Sequence, residues 1–439
     1  MKKPNILYIH SHDTGRFIQP YGHAISTPRL QKLAEEGVLF RKAFTPNPTC
    51  SPSRACLLSG QTAHSNSMLG LAHRGFSMDY SKHLVRTLKK NGYFTALAGI
   101  QHVAKSEAGI SVAEQVIGYD RELTSDHTAA HSKAVEFLKQ PREHPFFLSV
   151  GLYETHRVFP KDHPHDDPRY ILPPAPLPDT PEVREDMARF KQSARILDDK
   201  VGQVLDVLEE TGLADNTIVI CTTDHGIAFP RMKCNLEDSG TGVMLIMRGP
   251  GGFSGGRIVD SMISQIDLFP TLCDCLDIKK PDWLQGTSFM PIIREETDSV
   301  NDELFFEINY HAAFEPLRAV RTDRYKYIVR YDPRNAPVLP NCDDGISKQV
   351  WLKSGWANRV PVDEALYDLM FDPNEMCNLA DKTEHASTLK EMRAHLLRWQ
   401  QETHDPLIIS GDIPLPENAM CNDRDSVSPD DELLPKGLR

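Results

Sequence analysis

The sequence predicts an α/β fold: a large, mainly parallel sheet flanked by helices, then a smaller C-terminal antiparallel sheet with a helix. Two observations predict the first part. Short apolar runs of buried-strand type, such as Ile6–Ile9, alternate with segments whose apolar residues recur at helical spacing. Strands alternating with helices imply parallel neighbours, with helices on both faces. A third observation marks the change after residue 300, where Leu304–His311 and Arg318–Ile328 read as strands of a second sheet. The expected division is therefore 1–300 and 301–439, and 439 residues are enough for two units.

The elements follow in order. Ile6–Ile9 is the first strand, and His10–Arg16 is the polar stretch after it. A helix opens at Ser26 or Thr27 with Pro28 in its first turn, carries Leu30, Leu33 and Ala34 on one face, and stops at Gly37. Leu84–Asn91 reads as a helix closed by Gly92, Phe94–Gly99 as a strand, and Pro145–Val150 as another. Leu197, Val201, Val204, Leu205 and Leu208 carry helical spacing up to Gly212. Thr217–Cys221 and Val243–Met247 are further strands, and Thr388–Thr403 is a closing helix. Pro337–Asp344 and the tail from Pro414 read as loop or extended arm, the latter of a kind that packs on a neighbouring subunit in a homo-oligomer.

Bulk properties exclude several classes. A net charge of −12 argues against nucleic acid or anionic membrane as partners, and makes any anion site a local basic pocket. Nine scattered cysteines do not form a disulfide framework. No apolar run reaches transmembrane length, and Met1–Pro4 passes straight into a strand, so the chain as given reads as cytoplasmic.

In parallel sheets ligands bind beyond the carboxyl ends of the strands. Those ends carry His12 and Asp13, His102, the trio Glu154, Thr155 and His156, and the pair Asp224 and His225. A single His or Asp there is ordinarily a turn or cap residue. Four strand ends bearing them on one rim point to a site. Near that rim lies Thr49-Cys50-Ser51-Pro52-Ser53-Arg54-Ala55-Cys56-Leu57-Leu58-Ser59-Gly60, a cysteine at a helix start followed by Pro, Ser and Arg. On its own, Cys50 reads equally as a buried structural cysteine.

With its neighbours, this segment resembles the type I sulfatases of the alkaline phosphatase-like superfamily. The resemblance implies that Cys50 is oxidised to formylglycine by a maturation enzyme and that its hydrate attacks sulfur. It also implies one divalent metal, calcium in most members, held by His12, Asp13, Cys50, Asp224 and His225. It gives Arg54, His102, His156 and Lys233, nine residues after Asp224, as catalytic groups. His311 and Lys105 are further candidates for contacting substrate. Two positions depart from the family. His12 stands where relatives carry an aspartate; imidazole suits transition metals better than calcium, which prefers oxygen ligands, so manganese, magnesium or zinc stays open. Ile100 stands where relatives carry a sulfate-binding lysine; either Lys105 takes over that role or the pocket carries one fewer positive charge. Gly226–Pro230 and Trp399–Pro406 resemble the sulfamidase (N-sulfoglucosamine sulfohydrolase) branch. The implied substrate is a sulfate ester or sulfamate on a sugar or glycosaminoglycan fragment, as in heparan sulfate degradation. Two alternatives stay open: a phosphodiesterase or phosphonate monoester hydrolase of the same superfamily, and a non-catalytic sugar-binding relative with a decayed metal site.

Overall fold

The computed structural model describes residues 3–435. Met1 and Lys2, part of the start read above, and the last four residues of the tail lie outside the described residues. Eight strands form the large sheet: β1 (Asn5–Ser11), β2 (Val38–Phe44), β3 (Phe94–Gly99), β4 (Arg121–Thr124), β5 (Phe146–Gly151), β6 (Thr217–Thr223), β7 (Leu245–Arg248) and β8 (Arg257–Ser264). Their order is β4-β3-β5-β1-β6-β7-β2-β8. β7 runs antiparallel to both its neighbours, and the other pairings are parallel. The mainly parallel sheet expected from the sequence is what forms.

The alternation of β1 explains its central place. Ile6 and Tyr8 enter the apolar cluster on one face of the sheet, and Leu7 and Ile9 enter the cluster on the other. A strand buried on both faces needs a continuous apolar run, which Asn5–Ser11 supplies. Helix α1 (Pro28–Glu36) forms as its signals predict, with Leu30, Leu33 and Ala34 buried. Helix α2 (Cys50–Ser59) is buried on every side, and it ends at Gly60, whose φ of 68° is the left-handed conformation glycine adopts at little steric cost.

Three features differ from the sequence reading. The helix expected around Leu197–Leu208 spans Pro181–Glu210. Its first half has an apolar face of its own, Val183, Met187, Phe190 and Ala194, packed with Phe159 and Phe229 in a separate cluster; Thr180 Oγ1 accepts from the Val183 N–H, and Asp186 receives Arg157 and the Ser347 hydroxyl. Residues Glu364–Asp368 form a strand, β12, that the sequence reading did not include. This joins β9 (Glu303–Tyr310), β10 (Phe314–Thr322) and β11 (Tyr325–Arg330) in an antiparallel sheet of order β12-β11-β10-β9. Helix Ala386–Glu402 covers that sheet with Leu389, Met392, Leu396 and Trp399.

The tail is the third. Met420–Asn422 and Leu433–Pro435 pair as a two-stranded ribbon that packs on its own chain. Arg74, in the loop that follows α2, donates to the Ala312 carbonyl (2.8 Å), to Asn422 Oδ1 (2.7 Å) and to the Pro429 carbonyl (3.0 Å). Lys348 donates to the Val427 carbonyl at 2.7 Å.

Candidate active site

Strands β3, β5, β1 and β6 are consecutive in the sheet and parallel, so their carboxyl ends lie side by side. At a spacing of about 4.8 Å per strand they span only ~14 Å. That topology gathers residues as far apart in sequence as His12 and Asp224. Thr155, after β5, fastens the loop after β1: its hydroxyl donates to the Asp13 carbonyl at 2.9 Å. Asp13 has φ 51° and His102 φ 54°, so both turn out of their strands through the left-handed region. Asp and His tolerate that region better than most residues.

The motif around Cys50 has a structural logic of its own. Ser51 Oγ accepts from the Ala72 N–H at 3.0 Å, while Ser53 Oγ donates to the Asp224 carbonyl at 2.6 Å. Arg54 sends Nη2 to Asp224 Oδ2 (2.9 Å) and to the Ser11 carbonyl (2.8 Å). Instead of facing an open pocket, Arg54 orients an acidic ligand and closes the loop after β1. With these hydroxyls spoken for, Cys50 is the motif residue left facing the strand ends, at the amino end of α2.

Ligand atoms of His12, Asp13, Cys50 and Asp224 all lie within 4.8 Å of one another. His225 joins them, with Nε2 3.3 Å from Cys50 Sγ, 3.4 Å from Asp13 Oδ1 and 3.6 Å from Asp224 Oδ2. Its Nδ1 sits 3.0 Å from the Gly226 carbonyl, which only accepts, so Nδ1 carries the proton and the Nε2 lone pair faces the cluster. Gly226 permits that turn because a Cβ there would meet the Ser239 carbonyl oxygen at 2.0 Å. Neither ring nitrogen of His12 has a hydrogen-bond partner among the described residues, nor has Asp13 Oδ1. Burial, reinforced by Arg54, pushes His12 well below the usual imidazole range, so it is neutral. Burial pushes Asp224 the other way, but the fixed charges beside it, Arg54 and Lys233, help to outweigh it and keep it ionised. Buried, unpartnered nitrogen and carboxylate donors converging on one point fit a divalent cation.

Around this cluster stand the remaining candidates. Lys233 Nζ is 3.1 Å from Asp13 Oδ2. Its buried ammonium is held above its ordinary pKa by Asp13 and Asp343 despite desolvation. His156 Nε2 lies 3.9 Å from Asp13 Oδ2, and its Nδ1 is 2.5 Å from the Arg157 carbonyl, which again leaves Nε2 free toward the pocket. His102 lies against His12 with ring centroids 5.6 Å apart. His311 is buried and electrostatically coupled to Lys233 and Asp343. Lys105 is the exception: Gln101 caps its own loop through Val103 and Ala104, and Lys105 projects into solvent outside the cluster. Glu154 is taken up by Lys200 at 2.6 Å.

Sequence reasoning missed two residues here. His73 stacks on His102 with centroids 5.7 Å apart and planes 13° from parallel. Asp343, from the segment read only as loop, lies 2.8 Å from Lys233 Nζ. Neither carries a local signal, since both arrive from loops placed by tertiary packing.

A sequence model of the sulfatase family matches residues 4–278 of this chain. The chain belongs to the sulfatase family. A second, described as N-sulphoglucosamine sulphohydrolase, C-terminal, matches residues 231–339. This sulfatase is 29% identical to human N-sulphoglucosamine sulphohydrolase, over 90% of this chain and 89% of that one. It is 27% identical to the Delta 4,5-hexuronate-2-O-sulfatase of Bacteroides thetaiotaomicron, over 90% and 88%. The solved structure of a 2-O GAG sulfatase superposes with a TM-score of 0.72 at 22% identity, covering 93% of this chain and 94% of that one. Another, in complex with its substrate D-glucosamine-2-N,6-O-disulfate, superposes at 0.67 with 19% identity, covering 92% and 99%. The alkaline phosphatase-like sulfatase fold is thus shared across the chain. Membership brings with it a divalent metal and a formylglycine derived from the motif cysteine. No helix among the described residues is long and apolar enough to cross a membrane.

Proposed function

We propose that this sulfatase hydrolyses a sulfate ester or sulfamate on a sugar, with residues 1–300 supplying the nucleophile and metal donors and 301–439 closing the pocket. The observation that carries this reading is Cys50 at the head of α2 with the donor atoms of His12, Asp13 and Asp224 within 4.8 Å and Lys233 beside them. When present, the formylglycine hydrate supplies the attacking oxygen and the metal withdraws charge from the sulfate oxygens. The other roles belong to side chains of this chain. Lys233 offsets sulfate charge from a fixed, buried position. Arg54 positions Asp224. His102 and His156 handle protons, His156 through the Nε2 that its backbone contact leaves free. Intact mass of the Cys50 peptide from a host with a maturation enzyme tests the reading, together with turnover of paired sulfate and phosphate esters. The expected result is a loss of about 18 Da, thiol replaced by aldehyde, with preference for sulfate. An unmodified thiol with no turnover supports the sugar-binding alternative, and preference for phosphate supports the phosphodiesterase one.

The two imidazole donors bear on the metal. His12 and His225 beside two carboxylates suit manganese or zinc better than calcium, which favours all-oxygen sites. His12→Asp should therefore raise the calcium-to-manganese affinity ratio by about tenfold or more, the scale on which ligand surroundings tune affinity. Metal content after equilibrium dialysis reads this without any assay of activity, and an unchanged ratio removes His12 from the ligand set. Asp224→Asn should weaken binding of either metal, with turnover recovering in excess metal.

A further inference from the structure

Asp343 has no part in the roles derived so far. It is delivered by the loop after the short turn Leu339–Asn341, and its side chain is 14% exposed. Its Oδ2 lies 2.8 Å from Lys233 Nζ, the same ammonium that holds Asp13 Oδ2 at 3.1 Å. Lys233, His156 and His311 are the charged and titratable groups that act on it most strongly. Asp343 is absent from the group that converges on the metal point. The pocket thus carries a third carboxylate, set against Lys233 with His156 and His311 nearby.

That placement has a chemical consequence. An ionised carboxylate only accepts hydrogen bonds and has about four lone-pair sites, of which Lys233 takes one. A donor on the substrate is welcome there, and a second anion meets like charge in a poorly solvated place. Lys233 leaves that repulsion standing, because its single charge is divided among Asp13, Asp343 and the scissile sulfate.

We propose that Asp343 is a specificity-determining residue: it accepts a hydrogen bond from an N–H or O–H on the leaving sugar beside the scissile group, and it rejects sugars bearing a second sulfate or a carboxylate at that position. The substrate class is then a sugar or amino sugar whose scissile sulfo group has a hydroxyl or nitrogen donor as neighbour. This rests on the sulfatase reading above.

The test uses two sulfated glucosamines differing only in whether a hydroxyl or a second sulfate lies beside the scissile group. For the matured wild type, kcat/KM is expected to favour the hydroxyl sugar by about tenfold or more, one unscreened charge contact. In Asp343→Asn the preference should shrink to about threefold or less. A wild type that prefers the disulfate overturns the proposal. So does an unchanged ratio in Asp343→Asn, even if both rates fall together, since that marks Asp343 as a mere partner of Lys233. Asp343→Ser serves if the Asn variant does not fold. If the aldehyde-bearing wild type cleaves neither sugar, the sulfatase reading fails. The same two sugars titrated calorimetrically into Cys50→Ala protein, with and without Asp343→Asn, then decide the proposal through the ratio of Kd values.

Discussion

Cys50→Ala is expected to remove turnover of sulfated sugars altogether, a loss on the order of 10⁴-fold or more, as for removal of other enzymic nucleophiles. The neighbouring nucleophiles are already committed: Ser51 and Ser53 are bound into the packing of α2, and the buried Cys56 thiol accepts from Asn66 Nδ2. The fold should persist. Ala is small and a good helix former, and the other buried residues of α2 keep their packing. A thermal midpoint close to wild type with no detectable turnover is the expected pair of results. Retained activity would mean that the reaction does not pass through residue 50.

The largest effect on stability is expected at Arg318. Its fully buried guanidinium donates to both oxygens of Asp405 (2.7 and 2.9 Å) and to the Ile308 carbonyl (3.1 Å), and lies 3.6 Å from Glu307. Glu307 in turn holds His64 at 3.0 Å. Arg318→Met would strand two carboxylates away from water, a change that costs about 3–5 kcal/mol. Urea unfolding measures it, and a difference under about 0.5 kcal/mol would show that the network has no such weight. The same network sets an acid limit. Burial pushes Glu307 up, but His64 and Arg318 bring it down to about 2. Because that lies below the value of about 4.3 in an unfolded chain, its contribution is complete above pH ~5 and is lost as pH falls toward 2. Glu307→Gln should flatten that part of the stability profile.

How much of this was legible in the sequence depends on what places each residue. His12, Asp13, His102, His156, Asp224 and His225 follow strands, and parallel topology alone brings such ends together. The apolar runs that reveal those strands are buried on both faces and read plainly. β8 did not read plainly: as an edge strand it mixes exposed and buried positions, and its entry is rich in glycine. The first half of helix Pro181–Glu210 was legible but went unread: Thr180 and Pro181 open it and Val183, Met187, Phe190 and Ala194 recur at helical spacing, thinned by the charged residues between them. The role of Arg54 was half legible. Its motif marks it as part of the site, but its commitment to Asp224 and the Ser11 carbonyl emerges only in three dimensions. Asp343 and His73 left no trace, since nothing local in a loop says which wall it will close.

The grip of Arg74 on Ala312, Asn422 and Pro429 sets a kinetic order for the molecule. The loop that bears Arg74 also bears His73, so its final position depends on residues nearly 350 places later in the chain: Arg74 and Asn422 are 348 apart. Closing a contact of that span costs loop entropy that early, local contacts do not repay. During synthesis the large sheet can assemble while this wall of the pocket still waits for the ribbon Met420–Pro435 to emerge. The wall that bears His73 is therefore the side of the pocket that depends on the tail, and a chain without the ribbon is expected to hold the strand-end ligands in place beside an open wall.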